Sequence, residues 1–283
     1  MHHPQANWQD KASNLRAIAQ TLNIGLDALV LLDDNPAERL QVREALPEVG
    51  VPELPAEPEL YVRTLLAAGY FESVQFTVED RERAAQYQAN AARSAILGSA
   101  TDLQSHLASL QMEAYMAPFD ELGRARITQL INKTNQFNLC THRRSEAEVA
   151  ALQAMPDALT MQVRLTDRFG DNGIIAVVVG LPDGDAWLLD SWLMSCRVLN
   201  RGVERAMLNV IVARARARGV KRLVGHYLPT EKNALVRGHY AQLGFTELPM
   251  ASTSGSTAWA LEVDSFADLA THIRIAGPWS NGL

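Results

Sequence analysis

The stretch from Trp187 to Gly219, WLLDSWLMSCRVLNRGVERAMLNVIVARARARG, constrains the fold most. Its first half is an apolar run, the pattern of a strand buried on both faces. Its second half repeats apolar residues at helical spacing, with arginines between them. Arg197-Val-Leu-Asn-Arg-Gly202 must turn the chain between the two. A strand that breaks into a glycine-containing turn and opens a helix can bind an anion. The first helical N–H groups, from Val203 onward, lack intrahelical partners, and the helix dipole is positive there. A plain strand-to-helix turn explains the same residues.

A second pattern lies downstream. Arg222–Tyr227 is a short strand candidate, followed by Asn233-Ala-Leu-Val-Arg-Gly-His-Tyr240-Ala-Gln-Leu-Gly244-Phe245. The first spacing resembles the pyrophosphate loop of the GNAT acyltransferases, Q/R-x-x-G-x-G/A, with Arg197, Asn200 and Gly202 in the three places. Asn replaces the middle Gly, and Asn tolerates positive φ best among the other residues. The second resembles the N-x6-Y-x3-G-F segment of many GNAT enzymes. The resemblance implies a CoA or phosphopantetheine thioester held at Arg197, Asn200, Arg201, Gly202 and Val203. It implies that Asn233 bonds the pantetheine arm and that Tyr240 protonates the leaving thiolate as a general acid. A helix with a buried Tyr and a Gly cap is the plainer reading of Tyr240.

Composition excludes some classes. The chain has 283 residues, 47% hydrophobic and 20% charged, with a net charge of −6. No domain-wide basic field is available for nucleic acid. Arg201, Arg205, Arg214, Arg216, Arg218, Lys221 and Arg222 cluster locally, as a solvated helix face or as a landing patch for phosphates or an acidic partner. No run of eighteen apolar residues suggests a membrane span. Two cysteines, Cys140 and Cys196, make no disulfide framework and point to a reducing, cytoplasmic setting.

The N-terminal stretch reads as a helix over Lys11–Leu22, a buried strand Ala28–Leu32, the turn Asp33-Asp-Asn-Pro36, a helix Ala37–Leu46 and a further strand at Val49–Val51, then the Pro-rich 52–58. NWQDK at Lys11 and LLDDNPAER at Asp33 and Asp34 resemble the second half of a haloacid dehalogenase-like phosphatase domain, of the kind found in FkbH-like proteins. The resemblance implies Mg²⁺ at Asp33 and Asp34, with Lys11 neutralising phosphoryl oxygens. The nucleophilic Asp of that superfamily lies in an earlier element with no counterpart before Lys11. Phosphatase chemistry is therefore not expected of this chain alone. A two-strand remnant also leaves a sheet edge for the missing half or a second chain to cover. Residues 58–110 read as mostly helical, with a capping box at Thr77–Asp80, and resemble the connector of FkbH-like proteins.

Met112–Phe119, Leu159–Thr166, Gly173–Leu181 and Thr257–Glu262 are further strand candidates, and Leu122–Ile131 a helix. After Phe266 a tail with one short helix is expected. Ile131-Asn-Lys-Thr-Asn-Gln-Phe-Asn138 and the basic residues after it resemble the most recognisable segment of FkbH-like C-terminal domains. Its polar side chains Asn132, Thr134, Asn135, Gln136 and Asn138 are either a substrate-binding set or a solvated loop with Asn caps. His142 is a candidate base or a surface His. Asp190 could deprotonate an acceptor, or pair with an Arg such as Arg164. Cys196, beside a helix N-terminus and Arg197, is an acyl-carrier candidate or a small apolar residue.

The expected architecture is α/β, in four parts. Residues 1–58 are the C-terminal part of a haloacid dehalogenase-like domain, 59–110 a helical connector, 111–265 a GNAT-like mixed sheet flanked by helices, and 266–283 a tail. The resemblance implies thioester-dependent acyl transfer in polyketide-type biosynthesis, with an acyl carrier protein or a small acyl thioester as partner. Its rivals are glyceryl transfer from a phosphorylated glycerate, centred on the N-terminal half, and a module that only docks the carrier protein.

Overall fold

In the computed structural model, residues 7, 9–22, 24–72, 103–249 and 255–280 are described. The chain divides into two compact units, 1–91 and 92–283. The capping box expected at Thr77–Asp80 lies outside the described residues.

The first unit holds α1 (Lys11–Leu22), α2 (Pro36–Ala45) and α3 (Tyr61–Ala67). Asn35 caps α2 by accepting from the Ala37 N–H at 3.0 Å, and Pro36 fills the first helical place. Ala12 and Leu15 pack on Val42, Leu46, Val49 and Val51 as a small core. The strand expected at Ala28–Leu32 is only a parallel bridge, Val30 to Gly50, and Leu32 is 41% exposed. A buried parallel strand needs neighbours on both sides, and the described residues supply one.

Among the described residues, the second unit opens with helix α4 (Leu103–Ser109), and it is built on one sheet. Its strands are β1 (Glu113–Ala117), β2 (Leu159–Asp167), β3 (Gly170–Asp183), β4 (Ala186–Met194), β5 (Arg222–Tyr227), β6 (Thr246–Leu248), β7 (Thr257–Glu262) and β8 (Arg274–Ala276), in the spatial order β6-β7-β5-β4-β3-β2-β1-β8. Only β4/β5 and β1/β8 are parallel. β3 is buried on both faces. Val177 and Val179 join Ile127, Leu130 and Ile131 of helix α5 (Arg124–Lys133), and Val149 and Leu152 of α6 (Glu146–Ala154). Ala176 and Val178 join the opposite core with α7 (Val203–Ala217). Alternation of period two thus builds two cores from one strand.

Three features differ from expectation. β2 and β3 meet in a tight turn, because pairing continues to Asp167 and Gly170. Helix α6, opened by a full capping box at Ser145 and Glu148, is an element the sequence reading leaves out. Beyond residue 265 the chain returns to the sheet: Arg274–Ala276 pairs in parallel with β1, where a helix was expected.

Candidate functional site

The decisive local feature is on β4. Val179 faces Ser191 and Gly180 faces Leu189, so Asp190 is the extra residue of a bulge. A bulge bends its strand and increases the local twist. Parallel pairing with β5 ends at the same level, with Leu189 opposite Gly225. Beyond it β4 and β5 diverge.

The chain's own segment Phe137–Cys140 stands in the opening. Met194 N–H donates to the Phe137 carbonyl at 3.0 Å, and Leu139 N–H donates to the Trp192 carbonyl at 3.2 Å. On the β5 side, Leu228 N–H donates to the Leu139 carbonyl at 2.9 Å, and the Cys140 thiol reaches the His226 carbonyl at 3.2 Å. Asn233 is fully buried and gives its Nδ2 to the carbonyls of Asn138 and Leu228, both at 2.9 Å. Burial, and then the Asp190 charge, push the Cys140 thiol up to about 12.

Behind this segment lies an aromatic cluster. His239 and Tyr240 belong to the short helix α8 (His239–Gln242). The His239 ring meets Phe137 and Trp192 edge-on, at 5.1 and 4.7 Å between centroids. Tyr240 lies against Gly225, where any Cβ would overlap its ring. Trp192 Nε1, His239 Nε2 and Tyr240 Oη are buried and have no hydrogen-bond partner among the described residues. Burial holds His239 down to about 3 and raises Tyr240 well above the usual phenol range.

β4 leads through a 3-10 turn, Cys196–Val198, to α7. Asn200 and Gly202 both take left-handed φ, +61° and +76°. Gly202 is the N-cap and provides no side-chain cap, so the N–H groups from Val203 onward are not satisfied by one. Arg201 is anchored inward. It pairs at 3.2 Å with Asp167, whose side chain is fully buried, and donates to the Arg197 carbonyl at 2.7 Å. Arg197 Nε donates to the Ser195 hydroxyl at 3.1 Å. Cys196 is half-buried and forms no disulfide among the described residues. Glu204 sits in the first turn of α7, and burial raises its pKa. Of the basic cluster, Arg216 is tied to the Val263 and Phe266 carbonyls, and Arg222 to Asp185.

Asp190 uses both carboxylate oxygens. Oδ1 faces His142 Nδ1 at 3.2 Å, and Oδ2 accepts from Arg144 at 2.6 Å and from the Ser191 hydroxyl at 2.9 Å. The arginine partner is therefore Arg144, while Arg164 pairs with Asp171. The Asp190 side chain is 11% exposed and that of His142 45%. Nδ1 lies on the carboxylate side of the ring, so a proton on that nitrogen would leave Nε2, on an exposed ring, to act as a base. Sequence reasoning weighed both residues without seeing that they pair, because they lie 48 positions apart.

The polar loop braces itself. Asn132 bonds the Thr128 and Arg144 carbonyls and the Arg144 N–H. Asn135 accepts from Arg143. Asn138 donates to the Thr134 carbonyl and accepts from Thr141 N–H. Gln136 is half-buried beside Phe137 in sequence.

In the first unit, Lys11 Nζ stands 3.2 Å from Asp33 and 3.4 Å from Glu38. Burial alone would raise the Asp33 carboxyl, but the Asn35 N–H and Lys11 outweigh it and hold it below its usual value. The Asp34 carbonyl accepts from Arg39. No group of three or more His, Cys, Asp or Glu that could hold a metal occurs among the described residues. Asp33 is already neutralised by Lys11, so these residues do not by themselves fit Mg²⁺.

No protein-family model matches the chain, nor does any curated protein. Among solved structures, it is similar to the ribosomal-protein-S18-alanine N-acetyltransferase of Escherichia coli, at 20% identity over 54% of this chain and 96% of that one, with a TM-score of 0.41. The GNAT domain of S. lividans PAT matches at 20% identity over 52% and 89%, with a TM-score of 0.40. The N-terminal part of BF1531 from Bacteroides fragilis, containing a phosphatase domain complexed with Mg, is 53% identical over 25% of this chain, with a TM-score of 0.24; the match spans 19% of that protein. The second unit has a mixed α/β fold with an eight-stranded sheet flanked by helices. No described helix is long and apolar enough to cross a membrane.

Proposed function

We infer that the second unit is a thioester-dependent acyltransferase. The observation that carries this is the opening of β4 from β5 at the Asp190 bulge, at the end of the strand that leads to the uncapped helix end at Gly202 and Val203. Phosphates of CoA or of a carrier-protein phosphopantetheine would take the Val203 and Glu204 N–H groups, with the left-handed Asn200 and Gly202 letting the backbone approach them. His142, oriented by Asp190, removes the proton of an acceptor amine or hydroxyl as its lone pair attacks the thioester carbonyl. The C–S bond breaks, and the thiolate takes a proton from Tyr240. The resemblance of the loop 131–144 to FkbH-like proteins supports a carrier-protein partner and polyketide-type biosynthesis.

One observation favours a second reading, a non-catalytic module that docks the carrier protein. Phe137–Cys140 fills the opening, and Tyr240 is fully buried behind it. Calorimetric titration with CoA and with holo-carrier protein tests the first reading. Both should bind the native chain, and Gly202→Glu should abolish binding by placing a carboxylate where the phosphate approaches. Equal binding by the variant would put the thioester elsewhere.

A further inference from the structure

The Phe137–Cys140 segment that fills the opening bears on how the site is reached. This step rests on the thioester reading above. We propose that Phe137–Cys140 is a displaceable plug, a built-in competitor that must leave the opening between β4 and β5 before a pantetheine arm can enter.

Three observations point this way. First, the plug satisfies Met194 N–H and the Trp192 carbonyl by backbone bonds alone. An extended chain carrying amides offers the same donor and acceptor types, so the exchange can conserve these two hydrogen bonds. Second, Asn233 holds the plug through the Asn138 carbonyl, a contact that any amide carbonyl can replace. Third, Trp192 Nε1, His239 Nε2 and Tyr240 Oη are sealed behind the plug without partners among the described residues, and Phe137 packs on His239. A permanent core rarely leaves three polar groups unsatisfied together. Withdrawal of the plug would open this cluster to water or ligand. The plug is also tied at its far end to the acceptor side. Asn138 accepts from Thr141 N–H, and the next residue, His142, lies on Asp190. Movement of the plug would therefore move the candidate base.

Cys140 provides a native reporter. It is buried in the plug, with its thiol held toward the protonated form, so it should react slowly with a maleimide. The test uses the whole chain and desulfo-coenzyme A, which has the amide arm and phosphates but no thiol. Binding is followed by calorimetry, and N-ethylmaleimide labelling of Cys140 by mass spectrometry, with Cys196 as internal reference. Saturating ligand should speed Cys140 labelling by at least about tenfold, and Phe137→Ala, which loosens the plug, should bind at least about tenfold more tightly than wild type. Binding by the Phe137→Ala chain alone, with none by wild type, would also support the plug. If the ligand binds and Cys140 stays as slow as before, the segment is permanent and the plug is wrong, while the thioester reading stands. A folded Phe137→Ala chain with no gain in affinity says the same. If that variant does not fold, the wild-type labelling decides alone. If neither chain binds the ligand, the thioester reading fails and takes the plug with it.

Discussion

Asn233 donates its side-chain amide to the carbonyl of Asn138, 2.9 Å away across 95 residues of sequence. The same side chain accepts from Thr230 N–H at 2.7 Å, and none of it is exposed. It therefore joins the loop after β5 to the Phe137–Cys140 segment lodged beside β4. Replacing it with Leu would strand the buried Asn138 carbonyl and leave the part-buried Leu228 carbonyl and Thr230 N–H without this partner, and a buried polar group left unpaired costs about 1–3 kcal/mol. Asn233→Leu should lose roughly 2–4 kcal/mol. For a unit of this size the melting temperature should fall by roughly 5–15 °C. A melting curve checks this, and an unchanged midpoint would mean that the Asn138 contact is not held in solution.

The His142–Asp190 pair predicts a pattern in rates. His142→Ala should lower single-turnover acyl transfer by roughly a hundred- to ten-thousand-fold, with thioester affinity retained. Asp190→Asn should also slow transfer, because the one remaining acceptor oxygen can serve Arg144 and Ser191 and turn the NH2 group, a donor, toward the His142 ring. Groups that act as a unit are not additive. The double variant should therefore be no slower than His142→Ala. Additive losses would mean that the two residues act separately.

Much of the fold is legible locally, and the site is not. β5 and β7 fall on Arg222–Tyr227 and Thr257–Glu262 as expected, because their apolar runs are bounded by turn residues. Left-handed Asn200 and Gly202 follow from residue type. The bulge at Asp190 is a matter of register with β3, and nothing in WLLDSWLM marks which residue is extra. Phe137–Cys140 enters the sheet from a loop whose composition advertises polarity, while its burial comes from partners over fifty residues away. Strand β8 has three residues, too few for any period to show. The N-terminal apolar run has the composition of a buried strand but finds one partner, so it forms a bridge.

His239 gives the second unit an acid sensitivity. Burial lowers its pKa from 6.5 to about 3, so the folded chain binds fewer protons than the unfolded chain between those values. Above 6.5 the ring is neutral in both states and costs nothing. As the pH falls from 6.5 toward 3, the unfolded state alone is protonated, and stability declines by up to about 1.4 kcal/mol per pH unit from this group. His239→Phe keeps a ring in the cluster and removes the titration. The stability difference between variant and wild type should then grow as the pH falls through that window. Urea melts from pH 7.5 to 4.5 measure it, and parallel curves would place His239 in contact with water.

Tyr240 decides between catalysis and packing. Its ring is buried against Gly225 and Phe245, and its hydroxyl has no partner among the described residues. Deleting a satisfied buried hydroxyl costs about 1 kcal/mol, whereas deleting an unsatisfied one removes a desolvation penalty. Tyr240→Phe should therefore melt no lower than wild type, and up to about 1 kcal/mol higher in stability. The phenol's pKa is raised, so the proton is present throughout the working pH range. A general acid must hold its proton, but the same burial makes this phenol a weaker donor to a thiolate. If the opening admits a thioester, the variant should lose transfer by roughly a hundredfold or more while binding the thioester as tightly. Single-turnover transfer beside a melting curve separates the outcomes. A variant that is more stable and equally fast would make the hydroxyl an unused core group and leave the docking module as the function of this fold.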